Sequence, residues 1–164
     1  SSATQLTPDD KSFPSAVQRF LSEDTAEISG EKKLCFVINY GLNDYFTGYT
    51  VEQYRDGLQA GVQSLQDAYP DAEILIAFIT AFDNGTAFNN DLDEILNDYV
   101  TGAEETAAAM NVFFLNTNEA LQWNPQTAAC YLVDAVHPNE EGRFLFGTAI
   151  IKALDEDIFS YPVH

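Results

Sequence analysis

Three short apolar runs, none of them broken by a polar residue, restrict what this chain can fold into. They are Leu34-Cys35-Phe36-Val37-Ile38, Ile74-Leu75-Ile76-Ala77-Phe78-Ile79 and Val112-Phe113-Phe114-Leu115. A strand with one wet face alternates apolar and polar residues. An unbroken run reads instead as a strand covered on both faces, as in a parallel sheet. Helical patterns separate the runs. Pro14 suits the first turn of a short helix whose apolar face is Val17, Phe20 and Leu21. Thr50 and Gln53 form a capping box, and Tyr54, Leu58, Val62 and Leu65 then share one helix face until Pro70-Asp71 stops it. A third helix runs to about Met110, and a last one from about Glu140 to Leu154. Residues 116–131 read as a loop with short helical turns around Leu121 and Ala128. The order is helix, strand, helix, strand, helix, strand, loop, helix. That is one α/β sandwich on a parallel sheet, in a single domain over residues 1–164.

Charge narrows the function. There are 26 acids against 7 bases, a net charge of −19, so nucleic acid and anionic membrane surfaces are expected to be repelled. The longest apolar run, Ile74 to Phe82 around Thr80, is far too short to span a bilayer. Neither a cofactor nor a metal site is expected. Asp91, Asp93 and Glu94 read as first-turn acids favoured by a helix dipole rather than as a calcium site. With two histidines, one of them the last residue, and two cysteines, there is no zinc spacing. Cys35 reads as a small core residue, and Asn84-Gly85-Thr86 as a turn that also fits a glycosylation acceptor. The compartment is open, with a secreted setting slightly favoured.

Two loops carry chemistry. Asn39-Tyr40-Gly41-Leu42-Asn43-Asp44-Tyr45-Phe46 leaves the carboxyl end of the first apolar run. Asp134-Ala135-Val136-His137-Pro138 stands just before the last helix, and Pro138 keeps His137 out of the helical region. In open parallel sheets, sites form beyond the carboxyl ends of the strands, and both loops are expected at that edge. Asp134 could bond one ring nitrogen of His137, fix its tautomer and leave the other nitrogen as a base. The plainer reading is a surface Asp and a loop His with no shared task. Asn43 could equally be a turn residue bonded to its own backbone.

Gly41-x-Asn43-Asp44 after a buried strand, followed by Asp134-x-x-His137-Pro138 before the last helix, resembles the SGNH (GDSL-type) hydrolase family over nearly the whole chain. The resemblance implies a three-layer, flavodoxin-like α/β/α sandwich and hydrolysis of esters, thioesters or acylated carbohydrates by a serine nucleophile. It implies that Asn43 is the oxyanion-hole asparagine, a contribution of roughly 3–4 kcal/mol in comparable sites. Gly41 would let the backbone turn tightly beside the substrate, His137 would be the general base, and Asp134 would orient it. Asp44 would support the loop. Tyr40 and Tyr45 would line the acyl or sugar pocket, or else simply pack.

The chain departs from the family pattern in one respect. The family's nucleophile stands in a Gly-Asp-Ser block after its first strand, and these 164 residues contain no Gly-Asp-Ser. Ser1 and Ser2 sit in the wrong place to replace it. The resemblance therefore implies that this chain is the larger, C-terminal part of the fold, lacking its first one or two strands. The expected partners are a small acyl-ester or acylated-carbohydrate substrate and an N-terminal segment of the same protein, docked as a separate chain. That segment would cover the edge of Leu34 to Ile38, which is otherwise an aggregation hazard. The competing expectation is an inactive binding or structural module that has kept the fold and lost the chemistry.

Overall fold

A computed structural model describes residues 12–23, 34–78, 96–124, 127–134 and 136–155. In chain order the elements are α1 (Phe13–Glu23), β1 (Cys35–Ile38), α2 (Leu42–Thr47), α3 (Val51–Ala68), β2 (Glu73–Phe78), α4 (Leu96–Met110), β3 (Phe113–Asn116), α5 (Thr117–Leu121), a single 3₁₀ turn (Ala128–Tyr131) and α6 (Glu140–Ala153). The acids at 91–94 and the Asn84-Gly85-Thr86 triplet lie outside the described residues.

The three apolar runs form a three-stranded sheet in the order β1-β2-β3. β1 and β2 run parallel, with Cys35 opposite Glu73 and Ile38 opposite Ile76. The central strand β2 is buried from Ile74 to Phe78, as an unbroken apolar run requires. β1 has the open edge that the resemblance implies, and its faces are less covered than the apolar run suggests. It has β2 on one side and no second strand beside it among the described residues, and Val37 is 42% exposed. An apolar run reports the demand for cover, while the cover itself comes from neighbouring elements.

The chain divides into two compact units: residues 1–76 with 89–114, and residues 77–88 with 115–164. In the first unit, α3 packs against both α1 and α4. Tyr54, Leu58, Val62 and Leu65 recur every three or four positions on α3, and all are buried, so the periodic face is the core face. The capping box forms as the sequence predicts. Thr50 Oγ1 accepts the Gln53 N–H at 3.1 Å, and Gln53 Oε1 accepts the Thr50 N–H at 2.9 Å. In the second unit, Trp123 and Ala128 form a small buried cluster with Leu121, Tyr131, Leu132 and Leu145 packed around it. Thr117, fully buried at the start of α5, satisfies its hydroxyl on the Phe78 carbonyl at the end of β2. Among the described residues no helix is long and apolar enough to cross a membrane.

Candidate active site

The predicted site residues assemble in two groups, one in each compact unit. The second unit holds Asp134 and His137. Residues 131–133 and 137–139 run back beside each other around an isolated antiparallel bridge between Leu132 and Pro138. The Val133 N–H donates to the His137 carbonyl and the Asn139 N–H to the Tyr131 carbonyl, both at 2.8 Å. Between these rungs the Asp134 carboxylate closes a local turn. Its Oδ1 accepts the backbone N–H groups of Val136 at 2.9 Å and His137 at 2.7 Å. Asp side chains do this readily, which is why they favour such turns. The same carboxylate meets the imidazole, with His137 Nδ1 2.9 Å from Oδ2 and 3.1 Å from Oδ1. The contact that the three-residue spacing suggests is present, and the backbone of the turn itself aims the carboxylate.

The pair is open to solvent, with His137 78% and Asp134 57% exposed in their side chains. The hydrogen bonds nevertheless hold the Asp134 carboxyl down to about 2. The backbone N–H of His137 is the largest cause, followed by the Val136 N–H and then the His137 side chain. A depressed carboxyl of this kind supports its turn fully above its ordinary value, and the support is lost as pH falls through about 2.

α6 fixes the pair from the other side. Asn139 is its N-cap, with Oδ1 accepting the Gly142 N–H at 2.9 Å while Nδ2 donates to the Cys130 carbonyl at 2.8 Å. One side chain thus ties the helix start to the 3₁₀ turn ahead of the Asp134 loop. Tyr131 is stacked on Trp123, with ring centroids 5.5 Å apart and planes 14° off parallel, which anchors the turn in the apolar cluster. Sequence reasoning did not find this support. Its one signal was Gly142, a glycine in the first turn of a helix, where it is costly unless something needs the room.

The first unit holds Tyr40, Gly41, Asn43 and Tyr45. Where the sequence reads a turn, the chain forms the six-residue helix α2. Gly41 caps it at φ 130°, a conformation that side chains with a Cβ rarely adopt. Asn43 is exposed on α2, and its carbonyl accepts the Thr47 hydroxyl at 2.6 Å. Asp44 and Tyr45 face inward and are 0% and 2% exposed. The Tyr45 ring stands edge-on to Tyr99 at 5.7 Å and to Phe46 at 5.4 Å. Tyr40 is half-buried against Phe13, with centroids 5.1 Å apart. Both cysteines are free thiols, Cys35 half-buried and Cys130 exposed.

The model of the GDSL-like Lipase/Acylhydrolase family matches residues 9–143. No curated protein gives a match. Among solved structures, a Lactobacillus plantarum protein superposes with a TM-score of 0.71 at 21% identity, over 87% of this chain and 73% of its own. A member of the lipolytic protein G-D-S-L family from Veillonella parvula gives 0.64 at 18% identity, over 90% and 73%. A variant of an acetyl-xylooligosaccharide esterase from Geobacillus gives 0.58 at 18% identity, over 86% and 68%. Likeness at these identities establishes the fold, an α/β sandwich on a parallel sheet. The family match spans both the Gly41-x-Asn43-Asp44 turn and the Asp134–His137 loop, and the chain belongs to the GDSL-like lipase/acylhydrolase family of hydrolases.

Proposed function

We propose that this protein is a serine esterase or deacylase acting on small acyl esters of the acetyl type, carried on carbohydrates. Its catalytic triad joins His137 and Asp134 to a serine on a segment outside these 164 residues. The observation that carries the reading is the charge-assisted contact between His137 Nδ1 and Asp134 Oδ2 at 2.9 Å, on an imidazole open to solvent. With Nδ1 committed to the carboxylate, Nε2 is the nitrogen that takes the serine proton. The serine oxygen attacks the ester carbonyl, and the oxyanion is met by the Asn43 side-chain amide and backbone N–H groups. Collapse expels the alcohol, which leaves with the proton held on His137. A water then repeats the sequence on the acyl-enzyme, releasing the carboxylic acid and the serine. An acetyl group on a sugar is the preferred substrate class because the similar Geobacillus structure is an acetyl-xylooligosaccharide esterase.

The test is hydrolysis of p-nitrophenyl acetate and of acetylated xylo-oligosaccharides by the full gene product. Turnover supports the reading; a folded protein inert toward every short acyl ester supports an inactive module. The Asp134 carboxyl stays ionised down to about 2, so it is available to orient His137 across the assay range.

Asn43→Ala is expected to lower kcat about 10²- to 10³-fold and to leave KM within a few-fold, since the amide bonds chiefly to the transition state. Steady-state kinetics check this. A raised KM at unchanged kcat would make Asn43 a ground-state binding residue.

A further inference from the structure

A six-residue helix has no stability of its own, because helices this short are marginal even in favourable sequences. α2 also lacks a side-chain cap at its N-terminus. Something else must fix the segment that presents Asn43. Its C-terminal end is closed by Gly48 in the left-handed conformation, whose N–H reaches the Tyr45 carbonyl at 3.2 Å while the Tyr49 N–H reaches the Asp44 carbonyl at 3.1 Å. Two further anchors come from helices α3 and α4. The hydroxyl of Tyr54, in the first turn of α3, donates to the Tyr40 carbonyl at 3.2 Å, immediately before Gly41. The hydroxyl of Tyr99, on α4, donates to the Tyr49 carbonyl, immediately after Gly48. Both tyrosines are 0% exposed, and their rings are in contact at 5.7 Å. The Tyr99 ring also meets Tyr45, the inward face of α2. The segment 40–49 is therefore held at both ends by one buried aromatic pair.

We propose that Tyr54 and Tyr99 are the positioning residues of the oxyanion hole: their buried hydroxyls pin the carbonyls on either side of the Gly41–Gly48 segment and so set where the Asn43 amide stands. The proposal rests on Asn43 being the oxyanion donor. Tyr54 is suited to the task across pH, because burial first and the Asp44 carboxylate second raise its hydroxyl well above the usual phenol range. It remains a donor wherever the enzyme is folded.

Tyr54→Phe and Tyr99→Phe delete the two hydroxyls and keep the rings. In the full gene product, kcat per active site, counted by titration with a fluorophosphonate, is expected to fall about 10- to 100-fold in each variant, with KM within about two-fold. A loss of packing alone would lower the number of active sites and leave the turnover of each unchanged. The discriminating measurement repeats both substitutions in an Asn43→Ala background. Positioning predicts that the hydroxyl deletions then cost little more, because the group they place is gone. Equal losses with and without Asn43 would overturn the positioning role while leaving Asn43 as the oxyanion donor. Full turnover in both single variants would do the same. An Asn43→Ala enzyme as fast as wild type would overturn the oxyanion assignment and this proposal together. Each single variant is a complete test if the other fails to fold.

Discussion

His137→Ala is expected to reduce kcat by about 10⁴- to 10⁶-fold while leaving the stability of the fold within about 0.5 kcal/mol of wild type. The two halves of this expectation have separate causes. Removing the base of a triad disables the whole unit, and only binding and oxyanion stabilisation remain. Stability is spared because the imidazole is 78% exposed in its side chain. The backbone bonds at this position, from the His137 N–H to Asp134 and from the Val133 N–H to the His137 carbonyl, do not involve the ring. Kinetics on p-nitrophenyl acetate and a thermal midpoint measure the two quantities. A variant keeping a tenth of wild-type turnover would remove His137 from the mechanism.

Gly142→Ala is expected to destabilise the protein by about 2–3 kcal/mol, the cost of forcing an atom into occupied space. A Cβ at this position would stand 2.3 Å from the Tyr131 carbonyl oxygen and 3.2 Å from the side chains of Tyr131 and Pro138. The carbonyl cannot retreat freely, because it accepts the Asn139 N–H at 2.8 Å in the rung beside the Leu132–Pro138 bridge. In an unobstructed helix the same substitution stabilises by about 1 kcal/mol. The sign of the change therefore separates close packing from propensity. Since the rung belongs to the loop that carries His137, turnover should fall along with stability. Urea unfolding of the two proteins decides it, and an alanine variant as stable as wild type would refute the close contact.

Much of this architecture is legible in the chain because it is local. The capping box at Thr50, the core face of α3 and the Asp134–His137 contact each depend on residues three or four apart. What escapes the sequence depends on distant partners. α2 reads as a turn because six residues between two glycines carry no helical period; burial of Asp44 and Tyr45 makes it a helix. Nothing at Tyr54 or Tyr99 announces that their hydroxyls hold carbonyls at Tyr40 and Tyr49, since core-face tyrosines look alike whatever their hydroxyls touch. Val37 reads as buried because its run is apolar, yet it is exposed while its neighbour Ile38 is buried, since cover on each face of β1 depends on elements distant in sequence. Gly142 shows its purpose only when Tyr131, from the preceding turn, is brought against it.

The most direct test of the central claim is covalent. A fluorophosphonate captures a serine only where a base has activated its hydroxyl. The full gene product is treated with the reagent, digested, and mapped by mass spectrometry, beside the His137→Ala variant. One modified serine is expected, on a peptide outside these 164 residues, and it is lost in the variant. Labelling that ignores His137, or that falls on a serine within residues 1–164, would contradict the claim.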